Sequence, residues 1–488
     1  MRITNQMMIN STMANVQINK NQLNNMDNQL STQKKISKPS EDPIIAIRAL
    51  RLRSSLEQVS LYLDKNIPDA DSWLKTTEGA LEEANSILTD LYGYCTQGAT
   101  DSYSSSERET LANSLYKLKD AFYAEGDVEY AGRYVFTGYM TDTPLNYQSD
   151  EDAADVDFTI TQEFTRDDLS MKTVYTNSYT NDDILNLDVH TDPVTGNTIT
   201  PNVADVHRLR IAYTSVDDAG PFELSLSDGT TIQAGTVTTD VNYIPGDDEV
   251  AFNPSTGEIL LGENVYKQVY SADSVSFTYK KDNFIKGDLN PIMYFDCVDN
   301  NTGIVYDKVI EDIEYNVNFS QKLKVNSEAN EAFNIYLGRD IDDLVTAVQN
   351  VIDIEAQLEQ VAQMKKQDRY ADDDSQKKLA LLEEGLTKQF ELAQEEMTKA
   401  FEAGIGQMQN YQQQVSLAKA DVGNRMVRLG LTKSRLTEQK TNFTDLKSQN
   451  EDIDLEEVVI SYSAAELVYN ASLTAASKVV QQSLLDFL

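Results

Sequence analysis

The sequence predicts a mainly α-helical chain with a β-rich domain inserted between two helical arms. The arrangement is elongated and multi-domain, and the long N- and C-terminal helices form a coiled-coil bundle. Three observations predict it. All ten prolines fall between Pro39 and Pro291, so both ends lack the strongest helix breaker. The first arm carries Ile9, Val16, Leu23 and Leu30 at strict sevens, a stripe narrow enough for a coiled-coil seam. Between about residues 147 and 317 the texture changes to short alternating runs rich in β-branched and aromatic residues. These shifts divide the chain into a terminal helical assembly domain (1–40 with 451–488), a helical rod (41–147 with 311–450) and an inserted outer domain (148–310).

Taken in order, the first seam has Met13 and Met26 on neighbouring positions and polar residues elsewhere. From Leu56 the pattern resumes, with Leu56, Leu63, Ala70, Ala84 and Leu91 in one column and Val59, Trp73, Ala80, Ile87 and Tyr94 in the next. Pro68 interrupts this run, where a kink is expected. The runs "VDFTITQEF", "PFELSLSD", "TIQAGTVTT", "SVSFTYKK" and "GIVYDKVI" read as strands, and "DPVTGN" and "NPSTGE" as turns. Helix returns near Asp340. Leu344, Val348, Val351, Leu358 and Val361 form one face; Leu379, Leu382, Leu386, Phe390, Ala393 and Met397 form another, with "YADDDSQ" turning the chain between them. From Leu431 onward there is neither glycine nor proline, so the segment reads as long helix. Leu455, Val458, Tyr462, Ala465, Tyr469, Ser472, Ala476 and Val479 make its stripe, and its small residues allow a partner helix to approach closely.

Composition bounds the function. A formal charge of −38 repels phosphate backbones and anionic membrane surfaces, so neither nucleic acid nor membrane is an expected partner. Cys95 and Cys297 make no disulfide framework and no metal-binding pair. The start lacks the continuous apolar core of a Sec-type signal, and no segment approaches a membrane span. His190 and His207 are the only histidines and fit no zinc motif; no nucleophile elbow or phosphate-binding loop occurs. The acidic stretches "SDEDAADVD" and "PGDDE" read as solvated loops, and Trp73 as core. No catalytic residue, cofactor or metal is therefore assigned, and an enzyme is not expected.

The ends pose the remaining question. Each seam residue of the first arm contributes roughly 1.5–3 kcal/mol if fully buried, whereas fixing the backbone costs about 1–2 kcal/mol per residue. One seam leaves the arm short of stability by itself. The arms are expected to pair with each other and also to pack between molecules, because two helices cover only part of each other's surface. The apolar tip Leu484, Leu485, Phe487 and Leu488 points the same way.

Four stretches then carry a resemblance to the bacterial flagellin family, within it to the hook-associated, junction-type branch. They are "MRITNQMM", "KPSEDPIIAIRALRLRSSL", "TTEGALEEANSIL" and "GRYVFTGYMTDTPLNY", and "VGNRMVRLGLTKSRL" with "QQSLLDFL" is similar to the family's other end. The resemblance covers about residues 1–147 and 415–488 and does not extend to the insertion. It implies a secreted structural subunit of the extracellular flagellum at the hook–filament junction, exported unfolded by the type III route. Implied partners are further copies of the chain, a hook-side junction protein, flagellin and an export chaperone. The assembly interface it implies comprises Ile9, Val16, Leu23, Leu30, Val459, Leu467, Leu473, Val480, Leu484, Leu485 and Phe487. A divergent filament flagellin and a binding module on a helical stalk are the alternatives.

Overall fold

The computed structural model describes residues 5–100, 103–192, 195, 197–220, 222–308 and 311–485. The chain is 58% helical, with long helices at both ends and β structure between them. It divides into two compact units: unit 1 is Met1–Ala70, Tyr315–Leu323 and Val427–Leu488, and unit 2 is Asp71–Glu314 and Lys324–Met426.

Helix α1 (Asn5–Thr32) ends where Gln33 turns to a φ of 57°. Helix α2 (Pro43–Leu61) starts because the Asp42 carboxylate accepts the N–H groups of Ile44 and Ile45, at 2.9 and 3.1 Å, with Pro43 in the first turn where no N–H is needed. The expected interruption at Pro68 takes the form of a π turn, Tyr62–Asn66, leading into α3 (Ile67–Gly98). There the Ile67 N–H reaches back to the Tyr62 carbonyl, which accommodates the proline that follows. Val59, Ala70, Trp73, Ala80, Ala84, Ile87 and Leu91 of the two sequence columns are buried.

Helix α4 (Ser105–Ala124) opens with a Ser104–Glu107 capping box. The hairpin of β1 (Glu129–Tyr130) and β2 (Arg133–Tyr134) follows. The insertion then runs α5 (Asp150–Ala154), β3 (Phe158–Phe164), β4 (Ser170–Thr176), α6 (Asn181–Asn186), β5 (Asn202–Arg210), β6 (Glu223–Leu226), β7 (Thr231–Gln233), β8 (Thr236–Val237), β9 (Val250–Asn253), β10 (Glu258–Leu261), α7 (Glu263–Ser271), β11 (Val275–Lys281), β12 (Asp296–Asp299) and β13 (Val305–Tyr306). One sheet has the order β13-β12-β3-β11-β6-β7 and the other β4-β5-β10-β9-β8. Phe252 of β9 meets Phe222 at 4.5 Å and Phe277 of β11 at 5.1 Å, so aromatic rings join the two sheets. "NPSTGE" turns β9 into β10 with Gly257 at a φ of 65°; a Cβ there would lie 2.1 Å from the Tyr213 carbonyl oxygen.

After β14 (Glu314–Asn318), β15 (Gln321–Lys324) and α8 (Ala329–Ala332) come α9 (Tyr336–Met364) and α10 (Asp373–Glu451). Within unit 2 an ion network fastens the second sheet to α9. Arg208 pairs with Glu258 and, at 2.6 Å, with Asp343; Arg210 reaches Asp343 at 3.0 Å and also Asp340, which accepts from the Tyr411 hydroxyl at 2.7 Å. Burial alone would raise the Asp343 carboxyl, yet Arg208, Arg210 and Arg339 hold it below the usual range. The segment after Leu431 is not one helix. It breaks at Asp452–Asp454, and Asp454 caps α11 (Leu455–Leu485) by accepting the N–H groups of Glu456 and Glu457. An aspartate cap does here what a glycine or proline does elsewhere.

Candidate assembly surface on the terminal helices

Within unit 1, α1 and α11 pack against each other, and their ends fix the pairing as antiparallel. Lys34 bridges Asp452 as a short β pair, the Lys35 N–H donates to the Glu451 carbonyl at 2.7 Å, and the Asn19 amide donates to the Ser472 hydroxyl at 2.6 Å. The seven-spaced stripe Ile9, Val16, Leu23 and Leu30 is half-buried along this hairpin. So are Val458, Tyr462, Ala465, Tyr469, Ser472 and Val479 of α11, and Ala476 is buried. Apart from Leu455, which is exposed, both sequence stripes therefore meet inside one chain.

A polar latch closes the hairpin's base. Arg53 of α2 holds the buried Glu451 carboxylate with two hydrogen bonds, at 2.8 and 2.7 Å. Lys34 lies 3.7 Å from the same carboxylate, and the Asn450 amide donates to the Ile45 carbonyl at 3.0 Å. The hydrogen bond from Arg53 holds the Glu451 carboxyl below its ordinary range.

The opposite face of the hairpin is apolar and open. Leu467 is 72% exposed and Ile460 70%, and Val459, Val468 and Leu473 are exposed beside them. On α1, Met7, Met8, Met13 and Ile18 are exposed, and on α2 Ile44, Ile47 and Leu50. Glu456, Ile460 and Leu467 recur at intervals of four and seven, on the side of α11 away from its seam. Scattered exposed apolar residues need no explanation, but rows of them on helices mark a contact surface.

Of the eleven residues singled out in the sequence, Val459, Leu467 and Leu473 are exposed on α11, Leu467 opposite the seam and the other two on its flank, and Ile9, Val16, Leu23 and Leu30 lie in the intramolecular seam. Val480, Leu484 and Leu485 belong to the backbone of α11, but their side chains lie outside what is described, as does Phe487. The sequence reading missed Ile460, Val468, Ile47 and Leu50. The seven-residue step from Ile460 to Leu467 is the signal for Ile460, and the denser seam stripe masks it.

The rest of the molecule offers little for chemistry. His207 stacks on Tyr266 and His190 on Tyr179. Cys95 and Cys297 are buried free thiols, each pushed by burial up to about 12. Among the described residues no group of His, Cys, Asp and Glu could hold a metal, and no helix is long and apolar enough to cross a membrane. A cavity beside Phe136, Met140 and Glu328 measures about 30 Å³, room for one water.

Comparison with known proteins bears on the helical part. Residues 3–141 match the family described as the bacterial flagellin N-terminal helical region. Flagellar hook-associated protein 3 of Salmonella typhimurium is 27% identical over 144 residues, 29% of this chain and 45% of that protein. Flagellin of Clostridium tyrobutyricum is 24% identical over 120 residues, 25% of this chain and 32% of that one. The chain thus spans about half the length, or less, of the curated relatives it matches. The solved structure of a flagellar hook-associated protein from Vibrio parahaemolyticus is 12% identical, covers 84% of this chain and 100% of its own, and has a TM-score of 0.37.

The matched stretch reaches just past "GRYVFTGY", and each conspicuous residue there has a physical task. Ala131 and Gly132, at φ values of 52° and 74°, form the mirror-image turn that suits a two-residue hairpin. Val135 and Phe136 are wholly buried, with the Phe136 ring 4.9 Å from Phe333. Gly138, at a φ of 62°, follows the Thr137 bridge to Glu328. "MRIT" at the start lies outside the described residues.

Proposed function

We propose that this chain is a structural subunit of the bacterial flagellum that joins hook to filament by templated self-assembly through its terminal helices. The observation that carries the reading is the open apolar face of the α1–α11 hairpin, whose first helix lies in the stretch that matches the flagellin N-terminal region. Contact with neighbouring copies removes that face from water, at about 25 cal/mol per Å² of apolar surface. Hook-associated relatives support placement at the junction, and their likeness to flagellar structural proteins supports a role without catalysis. Its partners are then further copies of the chain, a hook-side junction protein and flagellin, with a chaperone holding it unfolded for type III export.

Gold-labelled antibody on intact flagella tests this. Label confined to the proximal end of each filament is expected; label along the whole filament would make the chain a filament flagellin, the reading that the Clostridium relative favours. Cells lacking the protein should keep hooks and shed flagellin into the medium. Normal filaments on those cells would refute the role.

A further inference from the structure

The charges of unit 1 are unevenly placed, and this bears on how copies meet in the assembly role proposed above. Residues 43–53 of α2 hold Arg48, Arg51 and Arg53 and no acidic residue, in a chain of net charge −38. Arg53 is engaged by Glu451, whereas Arg48 and Arg51 are exposed and make no ion pair among the described residues. They flank Ile44, Ile47 and Leu50, which are 64, 53 and 64% exposed. Residues 451–466 show the reverse: six acidic residues and no basic one. Glu456, Glu457 and Glu466 are exposed and likewise without an ion pair among the described residues, beside the exposed Ile460 and Leu467.

We infer that these two faces are partners across a subunit boundary: the basic, apolar face of α2 in one copy docks on the acidic, apolar outer face of α11 in a second copy. Each face offers an aliphatic row of similar length edged by charge of the opposite sign, and among the described residues both rows stay more than half exposed. Two copies related by a two-fold axis through α2 would set Arg48 and Arg51 against the same arginines, so like charge opposes that dimer. A contact between two different faces is heterologous. Every added copy leaves one face of each kind open, and the series closes as a ring or continues as a helix.

Sedimentation velocity of the purified full-length chain at low salt tests the pairing. R48E/R51E should weaken concentration-dependent association about tenfold, since two attractive pairs become repulsive, and E456R/E457R should do the same. The quadruple variant, with the charges exchanged, should recover to within about threefold of the original. Mixing the two double variants should also restore association, because each then supplies the face the other lacks; this shows at once that both are folded. Double variants that associate normally, a mixture and a quadruple variant no better than the doubles, or an original chain that stays monomeric would overturn the inference. Gold labelling reads location instead, so a protein found away from the junction could still assemble through this pair, and the two failures are distinguishable.

Discussion

The two units carry opposite surfaces. Unit 2 has 25 Lys and Arg against 64 Asp and Glu, whereas unit 1 has 16 against 15, so essentially all of the chain's excess negative charge sits in unit 2. Unit 2 buries its large rings, among them Trp73, Phe122, Phe136, Phe252, Phe277 and Phe401, while unit 1 leaves Ile47, Leu50, Ile460 and Leu467 in water. A net charge of this size keeps copies of unit 2 apart at distances within the Debye length, about 8 Å at physiological salt. Near-neutral unit 1 meets no such barrier. The contrast teaches where self-association is permitted: the segment that lacks both repulsion and a finished core.

The comparison breaks most visibly if unit 2 is not self-sufficient. Phe252→Ala removes the ring that joins the two sheets and should cost about 3–5 kcal/mol. The single tryptophan, Trp73, is buried in unit 2, so its fluorescence reads that unit alone in denaturant. An unchanged midpoint would mean that the insertion's core does not support the unit.

Next in size is the network beneath the second sheet. Arg210→Ala leaves the largely buried Asp340 without its arginine, while Asp343, 39% exposed, keeps Arg208; the change should cost about 2 kcal/mol by the same fluorescence. Far-UV circular dichroism, which also sees the α1–α11 hairpin, should show that the helices of unit 1 are retained where Trp73 has already become exposed. Coincident loss of both signals would show the units to be one cooperative body.

Acid sharpens the contrast from the other side. The Glu451 carboxyl is depressed in the folded chain, so the latch is intact above the ordinary glutamate range, near about 4.3, and is lost as pH falls through and below it. Its arginine is solvent-accessible, which limits the effect to about 1 kcal/mol. In unit 2 burial raises Asp127 and Asp288, whose protonation on acidification offsets part of what Asp343 and Glu258 lose. Limited proteolysis by pepsin should therefore cut α1 and α11 before Trp73 fluorescence changes. Glu451→Gln should show the same early cutting at neutral pH, with a neutral-active protease; identical cleavage of variant and original would remove the latch.

How far the sequence foretold this follows from where its periodicities were clean. The sevens of α1 and the threes and fours of α11 fixed both helices and the seam between them, because a half-buried helix must alternate faces. In the insertion, "VDFTITQEF" and "SVSFTYKK" became neighbouring strands because each alternates inward and outward residues. β9 and β10 escaped notice because every residue in them is buried, Glu258 included, so no alternation exists to be seen. The break before α11 was hidden because an aspartate cap announces a helix start only when the preceding helix is known to stop. At the candidate surface the two kinds of row differ for a related reason. Ile9, Val16, Leu23 and Leu30 are the most regular row in the arm, and the most regular row is taken by the chain's own partner helix.

The smallest expected effect on the isolated chain is then the most informative. Leu467→Ala, at a side chain 72% exposed, should alter the stability of the free protein by no more than about 0.5 kcal/mol. Leu23→Ala, one seven-step row away in the seam, should cost more, since its side chain loses contact with α11 in every copy. In assembly the order reverses. Leu467→Ala should slow filament growth in swimming and shear-regrowth assays, because the open face acts only when a neighbour covers it, while Leu23→Ala tolerates polymerisation once the hairpin is held by its surroundings. Equal effects of the two on the free chain would mean that the outer face is already covered at home, and unit 1 would then be as finished a fold as unit 2.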